Sequence, residues 1–503
     1  MENPSNKTLV KNINWNFIKV MSVTVLGFVN TIFFARLLPP EEFGLLSIVL
    51  VFIGLANIFS TMGVGPAIIQ KKFITQEHTR AGFTISLSMA VIVCIIMWSI
   101  SPIVSNYFHQ ERLEALLRLV AVQFIFFAIS TVSVSLLMRE LNYKKIFLID
   151  FSSYLIGSSM ISIILAYNGL GVWSIVIGNL CTALISSFLY YIVVKPPLRP
   201  IYKKDIFWDL INFGGGVSLN TFLNYIANNI DYLIIGRYLN ANSVGLYNRA
   251  FQLMRLPLGT ISGALSNVLF SSYSRIQEEK QKLAELYFSS ISSVNTLTFP
   301  LFIGMCISAK YIIYGLYGAE WEGAVKAFQY LCVAGVFKVI FNLAGPIVKA
   351  TGHVYVEVRK QFIYCLVLIF GCLIGVKYGI TGVACVVILA SMYLYFAMAK
   401  VVLKILNSRW KQFFYAHIPG IVIGSIIYFI NNLAVLTLER YISGMYVAKL
   451  IIVLFILGIT YLLSLVILPK ALIGEVPKKV VSKMFRKSYV SSKQILNQKY
   501  RSN

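Results

Sequence analysis

A chain of 503 residues that is 58% hydrophobic and only 13% charged is far more apolar than a globular protein of that length. This excludes a string of soluble domains and leaves a polytopic membrane protein. The formal charge of +25 would suit nucleic acid, but its placement excludes that. With the N-terminus taken as cytoplasmic, roughly 31 of the 44 Lys and Arg residues fall on the inner side, about 6 on the outer side and about 7 within apolar stretches. That asymmetry is the positive-inside pattern, and the partners it predicts are anionic membrane lipids rather than nucleic acid.

Read in chain order, the sequence predicts an all-α polytopic fold of about 14 transmembrane helices, each near the length that crosses roughly 30 Å of hydrocarbon. The spans fall near 13–35, 43–62, 81–105, 113–138, 147–167, 171–194, 210–236, 244–271, 287–314, 323–348, 361–377, 380–403, 412–432 and 445–468. The first, Ile13 to Phe34, is too long for a signal-peptide core and runs into Arg-Leu-Leu-Pro-Pro, so it is expected to stay as a helix. An even number of spans places both termini in the cytoplasm. The basic tail from Lys470 onward is expected to lie on the anionic leaflet or to stay unstructured. Among the longer inner connections, 195–205 is rich in Pro and Lys, as a hinge would be. The connection 272–285 has the composition of an amphipathic interfacial helix.

Two segments echo each other. RLLPPEEFGL begins at Arg36 and RYLNANSVGL at Arg237, each between two apolar spans; NGLGVWSIVIG (168–178) is matched by YGITGVACVVI (378–388). The spacing stays near 200 residues and the orientation is kept, which predicts two six-helix lobes related by a parallel repeat. The expected organisation is an N-terminal lobe at 1–194, a cytoplasmic linker at 195–209 and a C-terminal lobe at 210–405. Two additional transmembrane helices follow at 406–468, and a basic cytoplasmic tail at 469–503.

Charges inside a span cost roughly 2.5–3.5 kcal/mol near its centre, so each needs a partner or a use. Asn220, Asn224, Asn228 and Asp231 recur at spacings that place them on one face of the seventh span. Such a stripe either lines a wet cavity or bonds neighbouring helices. The repeat aligns it with Lys19, Val23, Gly27 and Asn30 in the first span, where Lys19 either faces the cavity or snorkels to the surface. Arg249 and Gln252 share a face of the eighth span, with Arg255 a fraction of a turn away. Lys338 lies near the middle of the tenth span and Arg118 lies in the fourth. The intramembrane charge is thus mainly cationic, with Asp231 the clearest acidic exception and Asp150 expected at the interface.

A hydrated cavity lined by Arg118, Lys19, Arg249, Arg255 and Lys338 attracts anions, and arginine grips phosphate through two parallel hydrogen bonds. The expected cargo therefore bears phosphate or acidic sugar groups. The 19 carboxylates and four histidines form no paired acid/base spacing, no nucleophile elbow and no metal-ligand cluster, so neither enzymatic activity nor a cofactor or metal is expected.

The segments FFARLLPPEEFGLLSIVLVFIGLANIFSTMGVGPAIIQKK, NVLFSSYSRIQEEKQKL and TFPLFIGMCISAKYIIYGLYGAEW resemble the polysaccharide-transporter branch of the multidrug/oligosaccharidyl-lipid/polysaccharide exporter superfamily. The likeness is to Wzx-type flippases, the colanic-acid and teichuronic-acid exporters among them, and extends over most of residues 8–405. It implies a central cavity open alternately to either side of the bacterial plasma (inner) membrane. The implied cargo is an undecaprenyl-diphosphate-linked oligosaccharide repeat unit, moved from the cytoplasmic to the periplasmic leaflet and passed on to a polysaccharide polymerase. It also implies coupling to an H⁺ or Na⁺ gradient, for which Asp231 is the candidate. A lipid II flippase or a drug/ion antiporter of the same superfamily would share the architecture. An integral-membrane polymerase would show a large charged outer loop, which this sequence does not.

Overall fold

A backbone surrounded by hydrocarbon has to satisfy its own N–H and C=O groups, and the helix does so within one segment. Every regular element among the described residues of the computed structural model is accordingly helical. Those residues are 6–61, 64–70, 73–197, 199–201, 225–226, 228–441, 444–469 and 472. Among them, 11 stretches are long and apolar enough to cross a membrane. One of these, 355–405, is 51 residues long and folds as two helices that reverse direction at Gly379, whose φ of +71° glycine adopts without strain.

The chain separates into two compact units, Met1–Asn248 and Arg249–Asn503. The first is built from α1 (Asn6–Leu37), α2 (Pro40–Thr61), α3 (Val64–Gln70), α4 (Gln76–Phe108), α5 (Arg112–Ala121), α6 (Gln123–Arg139), α7 (Tyr143–Tyr154), α8 (Ser162–Tyr167), α9 (Val172–Val194) and α10 (Ile230–Tyr238). It ends with the first turns of α11 (Ala241–Arg275). Here α6 packs on α9, α4 on α5 and α6, and α1 on α7. A π-helical turn, Leu155–Ile161, joins α7 to α8. Beside it Gly178 admits the Ser162 hydroxyl at a distance no side chain would allow.

Glu42, at the start of α2, ties three helices together. Its carboxylate receives both guanidinium nitrogens of Arg112 at 2.6 and 3.1 Å and the backbone N–H of Val172, the first residue of α9. A negative charge at that helix N-terminus also complements the α9 dipole.

The residues that the sequence echo aligns meet in space. A Cβ on Gly44 would lie 1.7 Å from the carbonyl oxygen of Ala241, and one on Gly245 would lie 1.9 Å from that of Pro40. Gly44 corresponds to Gly245 and Pro40 to Ala241, so the contact is reciprocal. Each glycine lets the other segment's helix start press directly on its backbone.

The second unit continues α11 and adds α12 (Lys280–Ile307), α13 (Ala309–Leu316), α14 (Ala324–Phe341), α15 (Ala344–Ala350), α16 (Val354–Gly375), α17 (Gly379–Ile405), α18 (Trp410–Tyr415), α19 (Ile418–Tyr441) and α20 (Tyr446–Ile467). The closest pairings are α12 with α19, α14 with α17, and α16 with α17. Short α18 is held by an aromatic cluster of Tyr395, Trp410, Phe413 and His417. His417 Nδ1 lies 2.7 Å from the Phe413 carbonyl oxygen and so carries the proton, leaving Nε2 to accept from the Tyr395 hydroxyl at 2.8 Å.

Two sequence expectations are corrected. The segment 272–285 is not a separate interfacial helix: α11 runs through Arg275, a turn follows, and α12 begins at Lys280. The stripe expected on one continuous seventh helix is interrupted, because residues 228 and 229 form a turn and α10 starts at Ile230. The Asn229 side-chain amide donates to the Tyr225 carbonyl at 2.8 Å, a local bond that competes with the helical ladder. Asn220 and Asn224, and most of the expected 195–209 linker, lie outside the described residues.

Overpacking a tight contact typically costs about 1–3 kcal/mol. Gly44→Ala and Gly245→Ala are each expected to lower the melting temperature of the purified protein. Gly259→Ala, where a Cβ meets nothing within 4 Å, is expected to leave it unchanged or raise it. A thermal-shift series in detergent checks the contrast.

Candidate functional site

Helix α11 is 35 residues long, about 52 Å at 1.5 Å per residue, and it is not among the described stretches whose length and composition alone mark them as able to cross a membrane. Its apolar side is fully packed at Tyr247, Ala250 and Met254. Its polar side carries Arg249, Gln252 and Arg255. The stretch from Arg249 to Arg255 calls for protein or water beside it, while Leu256, Val268 and Phe270 further along are exposed apolar side chains.

Three of the expected cations gather along this helix in the second unit. The buried ring of Phe251 has Lys338 Nζ 4.9 Å from its centroid and the Arg255 guanidinium carbon at 5.9 Å. Each is within the range of a cation–π attraction, worth about 0.5–2 kcal/mol. α11 and α14 thus bring Arg255 and Lys338 to one aromatic surface. Arg249 is buried, at 8% exposure, and acts on Tyr317. Burial pushes that phenol above its usual range, and the Arg249 charge partly opposes the shift. Gln252 is exposed on the same helix.

The first unit arranges its charges differently. Lys19 Nζ lies 2.7 Å from Asp150 Oδ2, both side chains being about a quarter exposed. The Tyr190 hydroxyl donates to Asp150 Oδ1 at 2.7 Å. One carboxylate therefore links α1, α7 and α9 and answers the lysine that sequence placed alone in the first span. A second polar seam runs alongside: the Asn30 amide donates to Ser159 Oγ at 2.8 Å, and Ser158 donates to Asn179 Oδ1 at 2.8 Å. Arg118 is not brought to this group. It pairs with Glu114 at 2.7 Å and donates to Ser101 Oγ at 3.1 Å, where α4 and α5 meet.

Asp231 sits in the first turn of α10, where the helix dipole favours a carboxylate. It is buried, accepting from the Tyr247 hydroxyl at 2.8 Å and from the Tyr232 N–H at 3.0 Å. Asn228 is exposed in the preceding turn.

Sequence reasoning missed Phe251, Tyr190 and Glu357. Glu357 lies 3.8 Å from Lys349 beside a hollow of about 520 Å³ bordered by Leu258, Gly259 and Asn342. For Glu357 a signal existed, as an acidic residue in a chain with few of them. The aromatic partners carried none.

Residues 33–326 match the profile of a family described as polysaccharide biosynthesis protein. The chain belongs to that family. Similar curated members include an uncharacterized membrane protein in the cps region of Klebsiella pneumoniae, 27% identical over 93% of this chain and 96% of the relative. Another is the lipopolysaccharide biosynthesis protein WzxC of Escherichia coli, 24% identical over 82% of this chain and 86% of the relative. Among solved structures, the lipid II flippase MurJ in an inward closed conformation shares the fold. It has a TM-score of 0.70 and 16% identity, covering 95% of this chain and all of MurJ. An inward-facing multidrug resistance MATE transporter of the MOP superfamily matches with a TM-score of 0.60 and 16% identity, covering 79% of this chain and 98% of the transporter. This member of the polysaccharide biosynthesis family thus shares its fold with MurJ and the MATE transporter.

Removing one partner of a half-buried pair strands the other. Lys19→Met is expected to destabilise the protein more than Lys19→Met combined with Asp150→Asn, with a coupling of about 1–3 kcal/mol in a double-mutant cycle. Unfolding of the four proteins in detergent checks this.

Proposed function

We propose that the protein is a flippase that moves an oligosaccharide repeat unit, linked to undecaprenyl diphosphate, from the cytoplasmic to the periplasmic leaflet of the bacterial plasma membrane. The observation that carries the reading is the gathering of Arg255 and Lys338 on Phe251, with Arg249 further along the same long, polar helix. Such a surface draws in a diphosphate and its sugars while the polyprenyl tail stays in lipid. Two conformations then present it to one side of the membrane and afterwards to the other. Membership of the polysaccharide biosynthesis family supports the cargo class, as do relatives named for lipopolysaccharide, teichuronic acid and succinoglycan biosynthesis.

The same reading includes the finer topology. Counting 355–405 as two helices and adding α11 and the span at 210–236 brings the eleven stretches to about 14 spans. These divide into lobes at 1–194 and 210–405 joined by the linker at 195–209, followed by the two helices of 406–468, with both termini and the 469–503 tail cytoplasmic. The protein transports and does not catalyse, and a polysaccharide polymerase consumes its product. An H⁺ or Na⁺ gradient gives direction, and Asp231 is the group that senses it.

Deletion of the gene is expected to abolish surface polysaccharide, leave cells viable and accumulate lipid-linked repeat units on the inner leaflet. Lethality through failed peptidoglycan synthesis would instead indicate lipid II as the cargo, and drug sensitivity with intact glycan would indicate an antiporter. Glycan chain growth by the purified protein would indicate a polymerase. In complemented cells, Arg255→Glu with Lys338→Glu is expected to cut transport at least about tenfold, the effect of about 1.4 kcal/mol on a barrier. Unimpaired transport would remove the basis of the proposal. Asp231→Asn, which keeps an acceptor for Tyr247, is expected to leave the fold intact and abolish the response to an imposed ion gradient.

A further inference from the structure

The second unit holds a cleft of about 650 Å³, well away from Phe251 in sequence, where α11 turns into α12, α15 turns into α16, and α17 ends. Five cations line it: Lys280, Arg359, Lys360, Lys400 and Lys404. Glu278 is the single carboxylate among the lining residues. Beneath them lies an apolar floor that includes fully buried Leu283 together with Val356, Val401 and Ile405.

The charge pattern is not what helix stability alone would select. Lys404 lies in the last turn of α17, where the helix dipole welcomes a cation. Lys280, in contrast, is the first residue of α12, where the dipole disfavours one. Lys400 and Lys404 stand four apart on one helix face, a spacing at which like charges repel. Nearby lysines find carboxylates, Lys282 on Glu279 and Lys349 on Glu357. None of the five cleft cations takes part in an ion pair among the described residues. They share a concave space in which Glu278 is the single carboxylate among the described lining residues, a setting that favours an incoming anion.

An anion seated here would have its charge held by the rim and any attached hydrocarbon against the floor. The cleft opens at the ends of the eighth-to-ninth, tenth-to-eleventh and twelfth-to-thirteenth connections, on the side that the Lys and Arg asymmetry makes cytoplasmic. That is the depth of inner-leaflet head groups. Against five cations and one carboxylate, a single phosphodiester charge offsets little, and two neighbouring phosphates come closer to the charge of the lining.

We propose that this cleft is an inner-leaflet binding site for a lipid head group carrying two neighbouring phosphates. A polyprenyl diphosphate and a cardiolipin-type phospholipid both present that chemistry. Occupancy by the first would make the cleft a loading site ahead of the intramembrane cations; occupancy by the second would make it a site at which the surrounding membrane acts on the protein. The proposal concerns binding and does not require that the protein transports anything.

The test uses the full-length protein in phosphatidylcholine nanodiscs doped with either undecaprenyl diphosphate or cardiolipin. Binding is read by native mass spectrometry and by amine-reactive labelling. The wild type is expected to show at least about threefold protection of Lys280, Lys360, Lys400 and Lys404, with Lys310 and Lys377 unprotected. Combining Arg359→Gln, Lys400→Gln and Lys404→Gln is expected to weaken binding at least about tenfold. An equal charge change elsewhere, Lys310→Gln, Lys377→Gln and Arg440→Gln, is expected to have little effect. Protection by undecaprenyl diphosphate alone assigns the diphosphate as the ligand, protection by cardiolipin alone assigns the phospholipid, and either upholds the site. No protection in either disc, or equal labelling changes at Lys310 and Lys377, overturns it. Should the triple variant fail to fold, the wild-type protection pattern decides by itself. Binding by a wild-type protein that moves no lipid-linked glycan would count against the flippase reading and leave the cleft assignment standing.

Discussion

A charge surrounded by hydrocarbon has nothing to solvate it, so each polar group within the spans has to arrive with its partner on another helix or stand towards water. Lys19, Asp150 and Tyr190 meet this demand by joining α1, α7 and α9 through one carboxylate. Asp231 meets it with the start of its own helix and the Tyr247 hydroxyl. Asn30 meets it across the π-helical turn, where the irregular backbone brings Ser158 and Ser159 within reach. These bonds form part of the scaffold, because each fixes which helix faces which.

Against that background α11 stands out. It packs Tyr247, Ala250 and Met254 and leaves Gln252 and Arg255 exposed, and its aromatic residue Phe251 is where Lys338 also settles. Arg255 and Lys338 thus share one π face, an attraction of about 0.5–2 kcal/mol for each. Lys19 has already spent its charge on Asp150. The cations of α1 and α5 serve the architecture of the first unit through their carboxylate partners, and the proposed phosphate recognition rests on those along α11.

Close backbone approach is the other device that shapes the first unit. Gly44 and Gly245 each accept the other segment's helix start where a methyl group would collide with a carbonyl oxygen. Glu42, two residues before Gly44, fastens Arg112 and the head of α9 to the same corner. Small residues and one well-partnered carboxylate thus do at this corner what a large apolar core does in a soluble domain, since lipid tails offer no hydrophobic incentive for helices to associate.

Much of this was legible in the sequence, because hydrocarbon thickness sets the helix length and the cost of charge sets its placement. Length and composition alone specified an all-helical membrane protein, the similar segments at Arg36 and Arg237 lie in contact, and Arg249, Arg255 and Lys338 were identifiable as costly residues needing a reason. Which charges find each other was decided only in three dimensions. Nothing in the spacing of Lys19, Asp150 and Tyr190 foretells their meeting, because they lie on separate helices whose rotation depends on packing. The turn at 228–229 was equally hidden, since a side-chain amide outcompeting the helical ladder at Asn229 depends on local geometry that periodicity does not encode. Periodicity reports what one helix presents to its surroundings; only the packed structure supplies the neighbour that the presented group will touch.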